Sequence, residues 1–157
     1  MAETVQLVEY FYVQVPDKPG EGARLLAQLK EAGVNLLAFS GFPAGRKGQV
    51  DFVPEDAKAF KAAARQAKWQ LSPAKKVFLI AGEDRVAVGA DLLGKLAAAK
   101  LNIIASQAIT AGAGRFGMLL WVKPADVRKA AKALGVAAPA KPAAAVPAAP
   151  AAEAPQG

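Results

Sequence analysis

The stretch VPDKPGEGARLLAQLKEAGVNLLAF (Val15–Phe39) determines the fold that we expect. Its turn, Pro16–Gly20, carries two prolines and a glycine, which interrupt regular secondary structure. Leucines at 25, 26 and 29 then recur at helical spacing, so a helix is predicted over Glu21–Ala32. Gly33 suits the left-handed conformation that ends a helix, and a strand is predicted to follow from Asn35.

A second copy of this pattern follows 67 residues later. The stretch ADLLGKLAAAKLNIIA (Ala90–Ala105) repeats the leucines at 92, 93 and 96, and its Asn102 matches Asn35. Farther along the offset becomes 70, which predicts a three-residue insertion in the hairpin loop Thr110–Arg115. Similarity at a fixed spacing indicates that one structural unit occurs twice.

Each copy predicts the element order βαββαβ. The predicted strands are Glu9–Val15, Asn35–Phe42, Gly48–Val53, Trp69–Ser72, Lys76–Ala81, Asn102–Ile109 and Phe116–Val122, and the predicted helices are Glu21–Ala32, a second one starting near Pro54, Val86–Ala99 and Pro124–Leu134. We therefore predict an α+β fold with two tandem ferredoxin-like modules, residues 3–74 and 75–136, each with its helices on one face of an antiparallel sheet.

The last strand of the second module is predicted to be missing or short, because the chain there becomes rich in alanine and proline. The first strand can begin as early as Thr4, and we expect this extra length to cover the bare sheet edge. Residues 137–157 are predicted to form a flexible tail, acting either as a tether or as an inert spacer.

Composition favours binding over catalysis. The 157 residues include neither Cys nor His, which excludes thiolate chemistry and removes the commonest general base and metal ligand. We therefore expect no enzyme activity, no cofactor and no metal. No run of about 18 apolar residues is present, and the first residues do not resemble a signal peptide, so we expect a cytoplasmic protein without a membrane segment.

The net charge of +7 lies mainly in residues 75–136, which hold ten basic and four acidic residues. A basic surface attracts anions, but we favour an ordinary solvated surface as the explanation of these charges. Because the sequence has no helix-turn-helix, no arginine-rich run and no alternation of basic and aromatic residues, we do not expect nucleic-acid binding.

The repeated stretch resembles the ACT domain, a small regulatory module that binds amino acids. The features that match are the Asp-x-Pro-Gly turn (Asp17, Pro19, Gly20), the leucine-striped helix and the entry into the second strand at Gly33–Leu36. The second copy departs from this pattern, since its turn lacks Pro and Gly and Lys100 stands where the first copy has Gly33. The resemblance implies a stand-alone tandem ACT protein with a ligand between its modules, near the first strand–helix turn.

A helix amino terminus after a glycine turn can hold a carboxylate, while Asp and Asn side chains can bind an ammonium group. The candidate ligand-binding residues are Asp17, Lys18, Pro19, Gly20, Glu21, Gly22, Asn35 and Leu36 in the first copy and Asp84, Arg85, Val86, Asn102 and Ile103 in the second. Structural roles remain open for them: Asp17 and Asp84 as helix caps, Pro19-Gly20 as turn residues, and the two asparagines as turn residues before strands.

Two functions follow from this interpretation. In the first, the protein binds a small molecule, an amino acid, and regulates a partner through a change in how its modules associate. In the second, the modules serve only for oligomerisation or protein docking, with a degenerate ligand site. Both interpretations predict a homodimer or higher oligomer, and an unidentified protein partner is compatible with each.

Overall fold

The structure is a computed structural model that describes residues 3–136, and these residues form a six-stranded antiparallel sheet with four α-helices. The strands are β1 (Thr4–Pro16), β2 (Leu36–Ala44), β3 (Lys47–Pro54), β4 (Lys75–Glu83), β5 (Ala105–Gly112) and β6 (Arg115–Trp121). The helices are α1 (Glu21–Glu31), α2 (Ala57–Gln66), α3 (Val88–Ala98) and α4 (Val127–Leu134), the last preceded by a 3₁₀ turn, Pro124–Asp126. The predicted α+β class is confirmed.

Strand β1 joins the two halves of the sheet, whose strand order is β2-β3-β1-β4-β6-β5. Residues Thr4–Tyr10 pair with β4, whereas Phe11–Pro16 pair with β3. The predicted early start of this strand is therefore confirmed. In the described residues no strand follows α4, and the first half of β1 occupies the sheet edge beside β4.

The helices pack on one face of the sheet over two apolar clusters. In the N-terminal half, residues 3–74, the core between the sheet and helices α1 and α2 contains three phenylalanines and two leucines of the stripe: Phe11, Phe52, Phe60, Leu25 and Leu29. In the C-terminal half, residues 75–136, the core between the sheet and helices α3 and α4 contains Phe78, Ile80, Leu92, Leu96 and Leu120. Burial of each leucine or phenylalanine stabilises the fold by roughly 1.5–3 kcal/mol relative to exposure. The repeated leucines lie in both cores, as their spacing predicted.

Val5 and Leu7 of β1 pack against the C-terminal cluster, while Phe11 and Val13 of the same strand pack in the N-terminal one. Alternation along a strand explains this arrangement, because odd-numbered residues of β1 all face the helices. One strand therefore contributes to both cores, and the two halves share its backbone.

All four described α-helices end with the same hydrogen-bond pattern, in which a residue of positive φ follows the helix. After α1, Gly33 (φ 67) donates to the Lys30 carbonyl and Val34 donates to the Leu29 carbonyl. Lys68 (φ 58), Lys100 (φ 56) and Gly135 (φ 70) occupy the equivalent position after α2, α3 and α4. Gly33 was predicted to end α1 because glycine adopts a left-handed backbone easily. Lys68 and Lys100 adopt the same backbone although it is unfavourable for a residue with a side chain.

Three predicted elements differ from the structure. Trp69–Ser72 is not a strand: Leu71 alone forms an isolated bridge with Val13, and Pro73, which has no N–H, follows immediately. The predicted strand Asn102–Ile109 begins only at Ala105, and the predicted helix Pro124–Leu134 opens as a 3₁₀ turn. The predicted tail, residues 137–157, lies outside the described residues.

The opposite face of the sheet carries no helix but is partly apolar. Val53, Val77 and Leu119 are buried there in a third cluster, against which Tyr10 and Trp121 pack. The sheet curves around this face, since Ser40 Oγ of edge strand β2 donates a hydrogen bond of 3.1 Å to Gln107 Oε1 of the other edge strand, β5. Both halves therefore surround the helix-free face.

Candidate functional site

Two cavities lie between the halves, one on each side of the contact between the two edge strands. Gln107 lines both cavities, and its hydrogen-bond partner Ser40 lines the second. The first cavity is called the Asn35 groove and the second the Asp51 chamber. Each is walled by residues of both halves, so an occupant would contact both.

The Asn35 groove has a volume of about 670 Å³. From the N-terminal half it is lined by the end of α1 and the start of β2, and from the C-terminal half by β5 and β6; its walls include Leu26, Lys30, Asn35, Leu36, Leu79, Gln107, Ile109 and Leu119. Apolar walls with a few polar groups are typical of small-molecule sites of this size.

Polar groups of the groove lie at its end beside α1. Asn35, which lines this end, donates a hydrogen bond of 3.0 Å from Nδ2 to Glu55 Oε2, so a carboxylate lies next to the amide of the groove wall. The Lys30 side chain adds a positive charge to the same wall. This end of the groove therefore offers acceptors for an ammonium group and a cation for a carboxylate.

The Asp51 chamber has a volume of about 970 Å³ and lies over the helix-free face. Strand β3 contributes Asp51 and Gln49 to it, β1 contributes Tyr10, and β6 contributes Trp121. Residues 73–76, which end the linker and begin β4, and the region around Pro124–Arg128 also line it. Sequence analysis did not select any of these residues for the site.

Asp51 is buried, with 7% of its surface exposed, and its Oδ1 accepts a hydrogen bond of 2.8 Å from Gln49 Nε2. Burial raises the pKa of the Asp51 carboxyl, because desolvation penalises the charged form, and the Gln49 bond and the charge of Lys75 only partly oppose this. A buried carboxylate that retains a raised pKa is unusual, and such groups concentrate at functional sites.

Tyr10 and Trp121 form the aromatic part of the chamber, with ring centroids 6.2 Å apart and an edge-on arrangement. Burial raises the pKa of the Tyr10 hydroxyl, and the nearby Asp51 and Tyr12 add to this effect. The Trp121 N–H opposes it, although its contact with Tyr10 does not meet hydrogen-bond geometry, and within residues 3–136 the buried Nε1 has no hydrogen-bond partner.

The first predicted turn lies at the far end of α1 from the Asn35 groove, about 16 Å away for a helix of 11 residues. Asp17, Lys18, Pro19, Gly20 and Gly22 are exposed, and Glu21 forms an ion pair of 2.6 Å with Arg24. Gly20 (φ 91) is the N-cap of α1 and no side chain caps the helix, so Asp17 does not have the alternative role of a cap. The turn and Asn35 therefore do not meet within one half.

The second predicted turn contacts strand β5. Asp84 Oδ2 accepts a hydrogen bond of 3.1 Å from Thr110 Oγ1, and Thr110 follows Ile109 of the groove wall. Arg85 is held by Glu3 at 3.0 Å and by Asp91 at 2.7 Å, so its guanidinium already has two carboxylate partners. Val86 is 95% exposed. Asp84 does not cap α3 either, since the N-cap residue is Ala87.

The two asparagines have different surroundings. Asn35 and Leu36 both line the groove, whereas Asn102 is exposed and Ile103 packs against the C-terminal core. Among the predicted residues, Asn35 and Leu36 thus share the groove, whereas neither predicted turn lines it.

Two other kinds of feature are absent from the part of the chain that the structure describes. No group of three or more His, Cys, Asp or Glu side chains is placed to hold a metal ion within residues 3–136. No helix in the same range is long and apolar enough to cross a membrane.

No protein-family model and no curated protein matches the chain. Solved structures do match. Protein BT0572 from Bacteroides thetaiotaomicron superimposes with a TM-score of 0.71 at 18% identity, over 83% of this chain and 88% of that one. The ligand-free regulatory subunit of aspartate kinase from Thermus thermophilus gives a TM-score of 0.58 at 16% identity, over 86% and 95%.

The corresponding subunit from Thermus flavus gives a TM-score of 0.54 at 17% identity, over 86% of this chain and 95% of that one. At such identities the likeness concerns the fold alone, and it extends over nearly the whole of each regulatory subunit. The chain thus has an ACT-like fold, as the repeated turn, helix and strand indicated.

Proposed function

We propose that the protein is a regulatory protein that binds a free amino acid between two ACT-like modules, residues 3–74 and 75–136. The observation that carries this proposal is the Asn35 groove, a cavity of about 670 Å³ walled by both halves. The fold shared with regulatory subunits of aspartate kinase supports the regulatory role.

The chemistry of the groove suits a molecule with both charges. Lys30 would bind the ligand carboxylate, while the Asn35 amide and the Glu55 carboxylate, joined at 3.0 Å, would bind its ammonium group. Leu79 and Leu119 would contact the side chain. A ligand that contacts both modules changes the free energy of their association, which is the differential affinity that regulation requires.

Calorimetry of the full chain against the twenty amino acids tests this proposal. We expect at least one to bind with a Kd of about 1 mM or tighter, and Asn35→Ala to weaken that binding about tenfold. Asn102→Ala is the matched control, because Asn102 occupies the equivalent repeat position on an exposed surface, and it should change the Kd by less than about twofold. Equal effects of the two substitutions, or no binding at all, would contradict the proposal.

A second candidate function is assembly with a second copy of the chain. Both edge strands of the sheet expose large apolar side chains, with Phe39 of β2 at 52% exposure and Ile109 of β5 at 68%. Unpaired edges of this kind favour pairing between chains. Sedimentation over a range of concentrations tests for a homodimer or higher oligomer, and Phe39→Lys should shift it toward monomer. A monomer at every concentration would exclude this function.

A further inference from the structure

We propose that the Asp51 chamber is a second ligand site, separate from the Asn35 groove, and that it takes an amino acid with a large apolar side chain. The ligand class follows from three features of the chamber: a buried carboxylate, a buried N–H donor without a partner, and an apolar wall. The inference concerns a different cavity from that of the proposed function, so each can fail while the other holds.

The carboxylate of Asp51 is the first feature. It is among the buried residues of the core, at 7% exposure, and the Gln49 amide is the hydrogen-bond donor that it contacts, at 2.8 Å. A carboxylate can accept about four hydrogen bonds, so one neutral donor leaves most of its capacity for an occupant. An ammonium group would add charged hydrogen bonds, which are stronger than neutral ones.

The Trp121 side chain is the second feature. Its indole Nε1–H is buried and forms no hydrogen bond within residues 3–136, since the Tyr10 hydroxyl lies near it without hydrogen-bond geometry, and Trp121 lines the chamber. Leaving a buried donor unpaired is unfavourable, and an acceptor oxygen of an occupant would remove that penalty. A ligand carboxylate fits best, because the cationic residue Arg128 lines the same chamber.

The apolar wall is the third feature. Phe42, Val127 and the ring of Tyr10 lie on it, and Ile104 is 60% exposed there. A cavity of about 970 Å³ has room for an aromatic side chain together with the two charged groups. A small polar amino acid would leave this apolar surface in contact with water, so a large apolar side chain is favoured.

Lys75 is the competing partner of Asp51 within the chain. Its charge lowers the pKa of the Asp51 carboxyl, but its Nζ lies 5.1 Å from the centroid of the Tyr12 ring, an arrangement typical of a cation–π contact. The ammonium group of Lys75 is therefore engaged with the aromatic ring and does not saturate the carboxylate.

Calorimetry of the full chain with L-phenylalanine tests the proposal, with phenethylamine and 3-phenylpropionate as analogues that lack one charged group each. We expect saturable binding of phenylalanine with a Kd of about 1 mM or tighter, and at least about tenfold weaker binding of both analogues. No saturable binding, or an analogue that binds as tightly as phenylalanine, would overturn the proposal.

Two substitutions locate the binding. Asp51→Asn keeps the acceptor for Gln49 but removes the charge, and Trp121→Phe keeps a ring but removes the N–H; each should weaken phenylalanine about tenfold. Asn35→Ala in the groove and Trp69→Phe in the helix-side core should change the Kd by less than about twofold. Loss of binding in Asn35→Ala alone would assign phenylalanine to the groove and overturn the chamber site.

A fluorescence measurement keeps the test decisive if Asp51→Asn is too unstable to study. The chain has two tryptophans, so Trp69→Phe leaves Trp121 as the only one. Phenylalanine should then change the Trp121 emission with the Kd found by calorimetry. Heat of binding without any change in this emission would contradict the site.

Discussion

Ser40 Oγ donates a hydrogen bond of 3.1 Å to Gln107 Oε1, and the two residues are 67 positions apart in the chain. This separation equals the offset between the repeated leucines, so the bond joins equivalent positions of the two copies. It also connects the two edge strands of the sheet. The Asn35 groove and the Asp51 chamber adjoin at this contact, because Gln107 lines both.

The first half of β1 should stabilise the C-terminal half. Leu7 packs against the C-terminal core and pairs with Phe78, whereas Gln6 points to the other face and is exposed. We expect Leu7→Ala to lower the free energy of unfolding by about 1–3 kcal/mol and Gln6→Ala by less than about 0.5 kcal/mol. Urea denaturation measures both, and faster hydrogen exchange in β4 of Leu7→Ala would locate the effect. Equal effects would contradict the shared-strand architecture.

Gly82 should not tolerate a side chain. An added Cβ would lie 2.9 Å from Phe116 Cε1 and 3.3 Å from the Cα of Glu3, so β1 or the core would have to move. We expect Gly82→Ala to destabilise the protein by about 1–3 kcal/mol. Gly94, within α3, has nothing within 4 Å of such an atom, and Gly94→Ala should stabilise the helix by about 0.5–1 kcal/mol. Thermal unfolding distinguishes the two signs.

Lys68 and Lys100 have left-handed backbones, with φ of 58 and 56 degrees, after α2 and α3. Glycine adopts this conformation without the steric penalty of a side chain, so each Lys→Gly substitution should raise the free energy of unfolding by about 0.5–1 kcal/mol. The matched control is Lys58→Gly inside α2, which should lower it by a similar amount. Destabilisation by Lys68→Gly or Lys100→Gly would argue against the helix ends described above.

The stability of the protein should depend on pH through Asp51. Burial raises the pKa of this carboxyl above its ordinary value of 3.8, so the folded chain binds the proton more tightly than the unfolded chain. Below pH 3.8 the carboxyl is protonated in both states, and its charge does not destabilise the fold. The destabilising effect of the charge grows as the pH rises from there through the raised pKa of the folded chain. Gln49 and Lys75 partly oppose it.

Asp51→Asn removes this titration, so its stability relative to the wild type should increase between about pH 4 and about pH 7. Urea denaturation of both proteins at the two pH values measures the difference, and contributions of other groups cancel in the comparison. A difference that stays constant, or one that decreases with pH, would contradict the raised pKa.

Local patterns predicted the fold because they reflect local physics. Leu25, Leu29, Leu92 and Leu96 recur at helical spacing, and all four are buried as that spacing requires. The pairing of β1 with both β3 and β4 was expected for one reason: the second copy lacks its last strand, which leaves a sheet edge to be covered. No local pattern fixes the residue at which the pairing changes, since partners such as Phe78 are distant in the sequence.

The chamber was not predicted because its burial depends on the curvature of the whole sheet. Asp51 alternates with Val50 and Phe52, which is the pattern of a solvated face. Its burial arises where the two edge strands meet, at Ser40 and Gln107. The feature of the sequence that could have indicated the chamber is the pair Tyr10 and Trp121, because aromatic residues on a sheet face without helices suggest a pocket.

The central claim, an amino-acid site between the two halves, is tested most directly by two-dimensional NMR of the full ¹⁵N-labelled chain during titration with amino acids. The account predicts saturable shifts of the Asn35 side-chain amide and the Gly117 backbone amide, which lie on opposite walls of the groove, with one shared Kd for at least one amino acid. If no amino acid shifts either signal at concentrations up to about 10 mM, where even weak ligands bind, the account is contradicted.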